Sequence, residues 1–150
     1  MRLTRYTDYA MRVLLHLAAR DADDLCSIGE IARLYKISQN HLMKVVQDLG
    51  KAGFVRTVRG RGGGIALARP ADQIIVGQVV RQTEEGFQLV DCSQCVIAPA
   101  CTLPRALDEA TAAFIAVLDK YSLEDLLDQR HQMRALFGIT EPAELAAAAP

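Results

Sequence analysis

The apolar positions of the first twenty residues fall at Leu3, Tyr6, Ala10, Val13, Leu14, Leu17 and Ala18. This 3.6-residue rhythm predicts an amphipathic helix over residues 3–20. A polar turn, Asp21-Ala-Asp-Asp24, closes it. Ser27-Ile-Gly-Glu30 has the spacing of a capping box, in which the serine hydroxyl takes an orphan N–H of the first turn and the glutamate reaches back to the cap. The helix it opens puts Ile28, Ile31, Ala32 and Tyr35 on one side. Lys36-Ile37 makes a short turn, Ser38 is the cap candidate for a helix from Gln39 to Leu49, and Leu42, Val45, Val46 and Leu49 line one face of it. Two short helices joined by about three residues, with the small Ala32 where they must approach, read as a helix-turn-helix. The same pattern would serve a helix pair in any all-α core.

The next stretch favours the first reading. Phe54–Val58 and Ile65–Ala68 are strand-like runs around Arg59-Gly-Arg-Gly-Gly-Gly64. Glycines permit the positive φ of a tight hairpin tip, and the two arginines project from it. A β-hairpin directly after a helix-turn-helix makes a winged helix. A phosphate-cradling loop would instead need a helix straight after the glycines and a Lys-Ser/Thr pair; here a strand follows. Ile74 to Thr83 reads as a further helix carrying Ile75, Val79 and Val80, ended by Glu84-Glu-Gly86, and Phe87 to Cys101 as an irregular loop.

Leu103, Leu107, Ala110, Phe114, Val117, Leu118 and Tyr121 then recur at three and four, a helix of about five turns with Pro104 tolerated in its first turn. A stripe of that length exceeds what the preceding head can cover, which predicts pairing with a second copy in a two-fold dimer; the competing use is packing back on its own chain. Ser122-Leu-Glu-Asp125 is expected to cap a short final helix ending near Leu136. The expected fold is mostly α with a small β-hairpin wing. Residues 1–84 form a winged helix-turn-helix DNA-binding domain, 85–102 a cysteine loop, 103–136 the dimerisation helix and short final helix, and 137–150 a flexible tail.

Composition and charge sharpen this picture. With 150 residues, 51% hydrophobic and 23% charged, the chain is neither wholesale disordered nor fibrous. No window approaches the roughly 18 uninterrupted apolar residues of a membrane span. The charged start has no apolar run behind it, so no signal peptide is expected, and the cytoplasm, where thiols stay reduced, is the expected location. The net charge of −1 conceals an asymmetry: residues 1–69 hold twelve Lys/Arg against six Asp/Glu, a net +6, and residues 70–150 hold five against twelve, a net −7. The first half is suited to face a polyanion. No Ser/His/Asp set and no paired catalytic carboxylates are present, and His16 and His131 stand apart on helices, so an enzyme is not expected.

The remaining chemistry lies in the cysteines. Cys92, Cys95 and Cys101 fall within ten residues of loop, with two and five residues between them. A loop can fold three Cβ vectors toward one soft metal centre, and thiolates suit zinc, Cu(I) and iron–sulfur clusters. Tetrahedral zinc would need a fourth ligand, and no histidine lies nearby in sequence. A Cys92–Cys95 redox dithiol would leave Cys101 unexplained. Iron–sulfur stands ahead of zinc, with a metal-free loop behind both. Cys26, between Leu25 and Ile28, reads as a buried small hydrophobe.

The opening Met-Arg-Leu-Thr-Arg-Tyr-Thr-Asp-Tyr-Ala, the block Ser-Gln-Asn-His-Leu-Met-Lys-Val-Val, the wing Val-Arg-Gly-Arg-Gly-Gly-Gly-Ile-Ala-Leu and the cysteine loop together resemble the Rrf-type (IscR/NsrR/RirA) winged-helix iron–sulfur transcription regulators. Within them the resemblance is strongest to the NsrR-type nitric-oxide-sensing repressors, and it runs from Met1 to about Leu127. It implies a cytoplasmic homodimer with one iron–sulfur cluster per subunit, 4Fe–4S favoured over 2Fe–2S, held by Cys92, Cys95 and Cys101, with Asp8 from the first helix of the other subunit as fourth ligand. IscR relatives use a histidine two residues past the third cysteine; Leu103 stands there in this chain. The two-residue gap between Cys92 and Cys95 is shorter than the four or five of NsrR relatives.

The resemblance further implies repression of a palindromic operator, with nitrosylation of the cluster releasing the DNA. Iron or cluster status is the alternative signal, and a zinc-stabilised repressor a further alternative. In such a protein Ser38, Gln39, Asn40 and His41 would reach base edges in the major groove, where Gln and Asn suit adenine. Lys44 would contact phosphate, and Arg59 and Arg61 would enter the flanking minor groove, most favourably where A·T runs narrow it.

Overall fold

The computed structural model describes residues 2–139; the expectation for the tail beyond them lies outside the described residues. Helix α1 spans Arg5–Ala18, with Thr4 as its N-cap accepting the Thr7 N–H, and it buries Ala10, Val13, Leu14, Leu17 and Ala18. Helix α2, Ile28–Tyr35, opens with the expected capping box: Ser27 Oγ accepts from the Glu30 N–H at 3.1 Å and Glu30 Oε2 from the Ser27 N–H at 3.0 Å. Its end is the unusual point. Lys36 sits in the left-handed region (φ 55°, ψ 43°), a conformation no other non-glycine among the described residues adopts. The Ile37 N–H reaches back to the Ala32 carbonyl at 2.9 Å, the six-to-one bond of a Schellman turn. The helix-turn-helix therefore holds its corner with a lysine where glycine would be less strained.

Helix α3, Gln39–Lys51, packs Leu42, Val45, Val46 and Leu49 inward. Ser38 occupies the N-cap position, but its hydroxyl makes no capping bond, so this expected cap is not formed. Strands β1 (Val55–Val58) and β2 (Gly64–Leu67) pair antiparallel, Val55 opposite Leu67 and Val58 opposite Gly64. The sequence did not suggest that Cys26 adds a third, one-residue strand to β2, exchanging both backbone bonds with Ile65 at 3.0 and 2.8 Å. Only Leu25 and Cys26 separate Asp24 from the Ser27 cap, too few to display an alternating pattern.

A 3-10 turn (Ala71–Gln73) leads into α4, Val76–Thr83. After the loop, α5 runs Leu103–Leu118. Its apolar stripe divides. Ile115, one position off the expected stripe, is the most buried residue of the helix at 8% exposure, and it packs with Val76 and Val80, flanked by Phe114 and Leu118. Leu103, Val117 and Tyr121 remain exposed. One edge of α5 thus packs back on its own chain while the other stays uncovered.

The final helix also differs from expectation. Ser122 and Asp125 do bond reciprocally, with the Ser122 N–H and hydroxyl both on Asp125 Oδ2 at 2.7 Å. They open only a 3-10 turn, Glu124–Leu126, and α6 begins separately at Arg130 and ends at Leu136. At the break Leu123 and Leu127 both enter the main core, and the Leu123 N–H, a first-turn donor that no helix pairs internally, reaches the Ile74 carbonyl at 2.9 Å. Phe137, inside the stretch expected as tail, packs on that core beside His16. Among the described residues no helix is long and apolar enough to cross a membrane.

Candidate nucleic-acid interface and cysteine loop

The buried stripe of α3 leaves its opposite face to solvent. Ser38, Gln39, Asn40, His41 and Lys44 are all exposed, as are Arg59 and Arg61 at the tip of the wing. The helical period also places Met43 and Gln47 on this face, one and two turns beyond Gln39 and Asn40. Attention to the polar N-terminal end alone missed them, although the three- and four-residue spacing was readable. At the wing tip Gly60 and Gly62 take φ of 100° and 75°, and a Cβ on Gly63 would overlap the Val58 carbonyl and lie 2.9 Å from that of Gly60. The arginines are therefore presented on a turn that only these glycines can form.

Helix α3 is tied to α1 by a hydrogen bond from the Tyr6 hydroxyl to Asp48 Oδ2. Burial, reinforced by Asp48, pushes the Tyr6 hydroxyl up to about 12, and the same bond holds the Asp48 carboxyl below its ordinary range. The first turn of α1 is tied in turn to the end of α4. Glu84 Oε1 accepts from the Thr4 N–H at 2.8 Å, the Thr4 hydroxyl at 3.0 Å and the Thr7 hydroxyl, and Thr7 and Thr83 hydroxyls meet at 2.8 Å. Burial raises the Glu84 carboxyl, but the Thr7 and Thr4 bonds outweigh it and hold the group below its ordinary value. Sequence reasoning had no signal for either tie, because each joins residues more than forty positions apart.

The cysteine loop begins directly after Glu84. Its backbone is a run of tight turns, with Cys95 N–H to Cys92 O and Ala98 N–H to Cys95 O both at 3.2 Å, and a 3-10 turn over Ala98–Ala100. Cys92, Cys95 and Cys101 are unpaired and at least partly accessible. The structure does not gather them: among the described residues no three His, Cys, Asp or Glu side chains converge as a metal ion would require. Asp8, on the first turn of α1, pairs with Arg12 at 2.8 Å. As a donor set, three accessible thiols on ten residues of turn fit a soft metal or an iron–sulfur group. The carboxylate beside the thiols in the loop is Asp91, which is exposed and accepts the Ser93 N–H at 2.9 Å.

Residues 3–129 match the family model of Rrf2, described as an iron-dependent transcriptional regulator. The chain belongs to the Rrf2 family. It is 48% identical over 146 residues to the HTH-type transcriptional regulator NsrR of Bacillus subtilis, covering 94% of this chain and all of that one. To the NsrR of Geobacillus kaustophilus it is 49% identical over 141 residues, covering 91% and 96%. Among solved structures, IscR of T. potens superposes with a TM-score of 0.71 at 26% identity, over 86% of this chain and 88% of that one. The chain is accordingly a DNA-binding transcriptional regulator of the Rrf2 family, with a winged-helix fold, and not an enzyme.

Proposed function

We propose that this Rrf2 chain is a cytoplasmic homodimeric repressor that holds an iron–sulfur cluster, 4Fe–4S rather than 2Fe–2S, and releases a palindromic, A·T-rich operator in response to nitric oxide. Cys92, Cys95 and Cys101 hold the cluster from one subunit, and Asp8 of the partner subunit completes the ligand set. When bound, the cluster supplies iron that nitric oxide can attack. The uncovered edge of α5, with Leu103 and Val117, and with Tyr121 just beyond its end, is the face on which the two copies meet. Ser38, Gln39, Asn40 and His41 face base edges, Lys44 a phosphate, and Arg59 and Arg61 the minor groove.

The observation that carries this reading is the pair of ties around α1. The cysteine loop starts one residue after Glu84, and Glu84 holds the turn of α1 that bears Asp8. Tyr6, on that same turn, holds Asp48 of the recognition helix. A change in how Asp8 or the loop is held thus bears on α3 through named hydrogen bonds, which is the physical form of coupling between two sites.

Operator affinity of the anaerobically reconstituted protein, measured before and after nitric oxide, tests the proposal. A marked loss is expected, and unchanged affinity refutes it. Asp8→Ala should weaken cluster retention or the response; unaltered visible spectra and response remove Asp8 from the ligand set. The iron-dependent description of the family favours a second reading, in which cluster loss through iron scarcity is the signal. Response to a chelator, with none to nitric oxide at constant iron, selects it. Metal analysis that finds zinc and no iron selects a zinc-stabilised repressor.

A further inference from the structure

The outward face of α3 carries a residue that its polar neighbours do not explain. Met43 is 51% exposed, although it sits among Gln39, Asn40, Lys44 and Gln47. It lines an open groove of about 490 Å³ between α3, the start of α2 and the wing, together with Gln39, Arg33, Thr57 and Val58. Across that groove Val58 of β1 is itself 39% exposed. A long apolar side chain left in water on a functional face forgoes its burial energy, so an apolar partner that arrives only on binding is the economical explanation. The rest of this face is polar or basic, with Arg33, Lys44 and the wing arginines around it, which suits a polyanion and not an apolar protein surface. The major groove of DNA offers one apolar feature, the C5 methyl group of thymine.

We propose that Met43 is a specificity-determining residue that reads thymine by packing its thioether and terminal methyl against the C5 methyl group in the major groove. The inference rests on the placement of α3 in that groove proposed above. Gln39 and Asn40, one turn earlier, carry amides suited to the N6 and N7 of adenine. Met43 adds recognition of the thymine side of the same or the adjacent A·T pair. Methionine suits the task because it is unbranched and polarizable and adapts to an irregular apolar surface.

The probe is a duplex enriched from a random pool by the reconstituted full-length protein, in which each thymine is replaced in turn by deoxyuridine, so that only the methyl group is lost. Burial of one methyl-sized group corresponds to about 0.8 kcal/mol, or about fourfold in affinity, and to about fifteenfold when both half-sites change. The wild type should lose about this much at one thymine per half-site. Met43→Ala should bind the unmodified duplex correspondingly more weakly and be indifferent to that replacement, while Met43→Leu keeps the sensitivity. Because Met43 is half exposed, the variants are expected to fold, and circular dichroism with salt-dependent binding to random DNA checks that they do.

Indifference of the wild type to every replacement overturns the proposal, as does equal sensitivity in Met43→Ala. A change confined to self-association would assign the residue to a protein contact and also overturn it. Failure to enrich any duplex would instead bring down the α3 placement on which the proposal stands.

Discussion

His16 is 2% exposed, with the ring of Phe137 4.6 Å and that of Tyr35 6.2 Å from its own. Its Nε2 accepts from Arg20 Nε at 3.3 Å and lies 3.6 Å from Cys26 Sγ, while Nδ1 is buried without a hydrogen-bond partner. Burial above all, and then the Arg20 charge, drives its pKa down from 6.5 to about 4, against smaller opposing effects of Glu30 and Asp24. The folded state therefore binds this proton later than the unfolded state does. The stability it contributes is fully present above about pH 6.5 and is lost as the pH falls toward 4. At pH 5 the unfolded imidazole is almost wholly protonated and the folded one barely so, which by linkage costs about 2 kcal/mol relative to neutral pH. Urea unfolding of the metal-free protein at pH 7.5 and 5.0, beside His16→Leu, isolates this contribution from the carboxylates common to both. The wild type should lose about 2 kcal/mol more than the variant. Equal losses would mean that His16 is not buried neutral, and the account of the core around Cys26 would fail with it.

Burial, chiefly, pushes the Cys26 thiol up to about 12, so in the metal-free folded protein an alkylating reagent at pH 8 should modify three of the four cysteines; prompt labelling of all four contradicts the packing. Gly63→Ala forces a Cβ against the Val58 carbonyl, so the wing must reshape, and the salt slope of DNA binding should fall by about 1–2 as arginine contacts are lost; an unchanged slope removes the wing from the interface. Tyr6→Phe deletes the hydrogen bond to Asp48 and should lower stability by about 1 kcal/mol in urea titrations, with no loss if the bond does not form in solution.

Much of the fold was legible because it is written in short-range pattern. The α1, α2 and α3 stripes, the Ser27–Glu30 box and the glycine-rich hairpin each occupy fewer than twenty residues, and the structure forms them within a residue or two of expectation. The departures share a cause. Ser122 and Asp125 make their cap, yet only a 3-10 turn follows before α6, with Leu123 and Leu127 drawn into a core built by residues far away in the chain. The stripe of α5 was read as one face, whereas Ile115 turns the helix toward Val76 and Val80. Periodicity states which residues are apolar and says nothing of which neighbour will cover them.

The candidate site divides along the same line. The residues proposed to face DNA lie on one helix and one hairpin and could be named from spacing. The cysteines could be named too, but their assembly could not be seen, since within one chain the thiols are not gathered and Asp8 is paired with Arg12. That pairing does not oppose the proposed ligand role. Both side chains are more than two-fifths exposed, and an exposed i,i+4 pair contributes at most about 0.5 kcal/mol. A carboxylate so weakly held would be available, at little cost, to the cluster proposed on a partner subunit. Arg12, whose guanidinium lies 5.6 Å over the Tyr35 ring, keeps a partner when Asp8 leaves. Glu84 is the contrasting case, because it accepts three hydrogen bonds from Thr4 and Thr7, and Thr7 is fully buried. Of the two acids at this end of α1, Asp8 is therefore the one held loosely enough to change partners, whereas Glu84 anchors the turn.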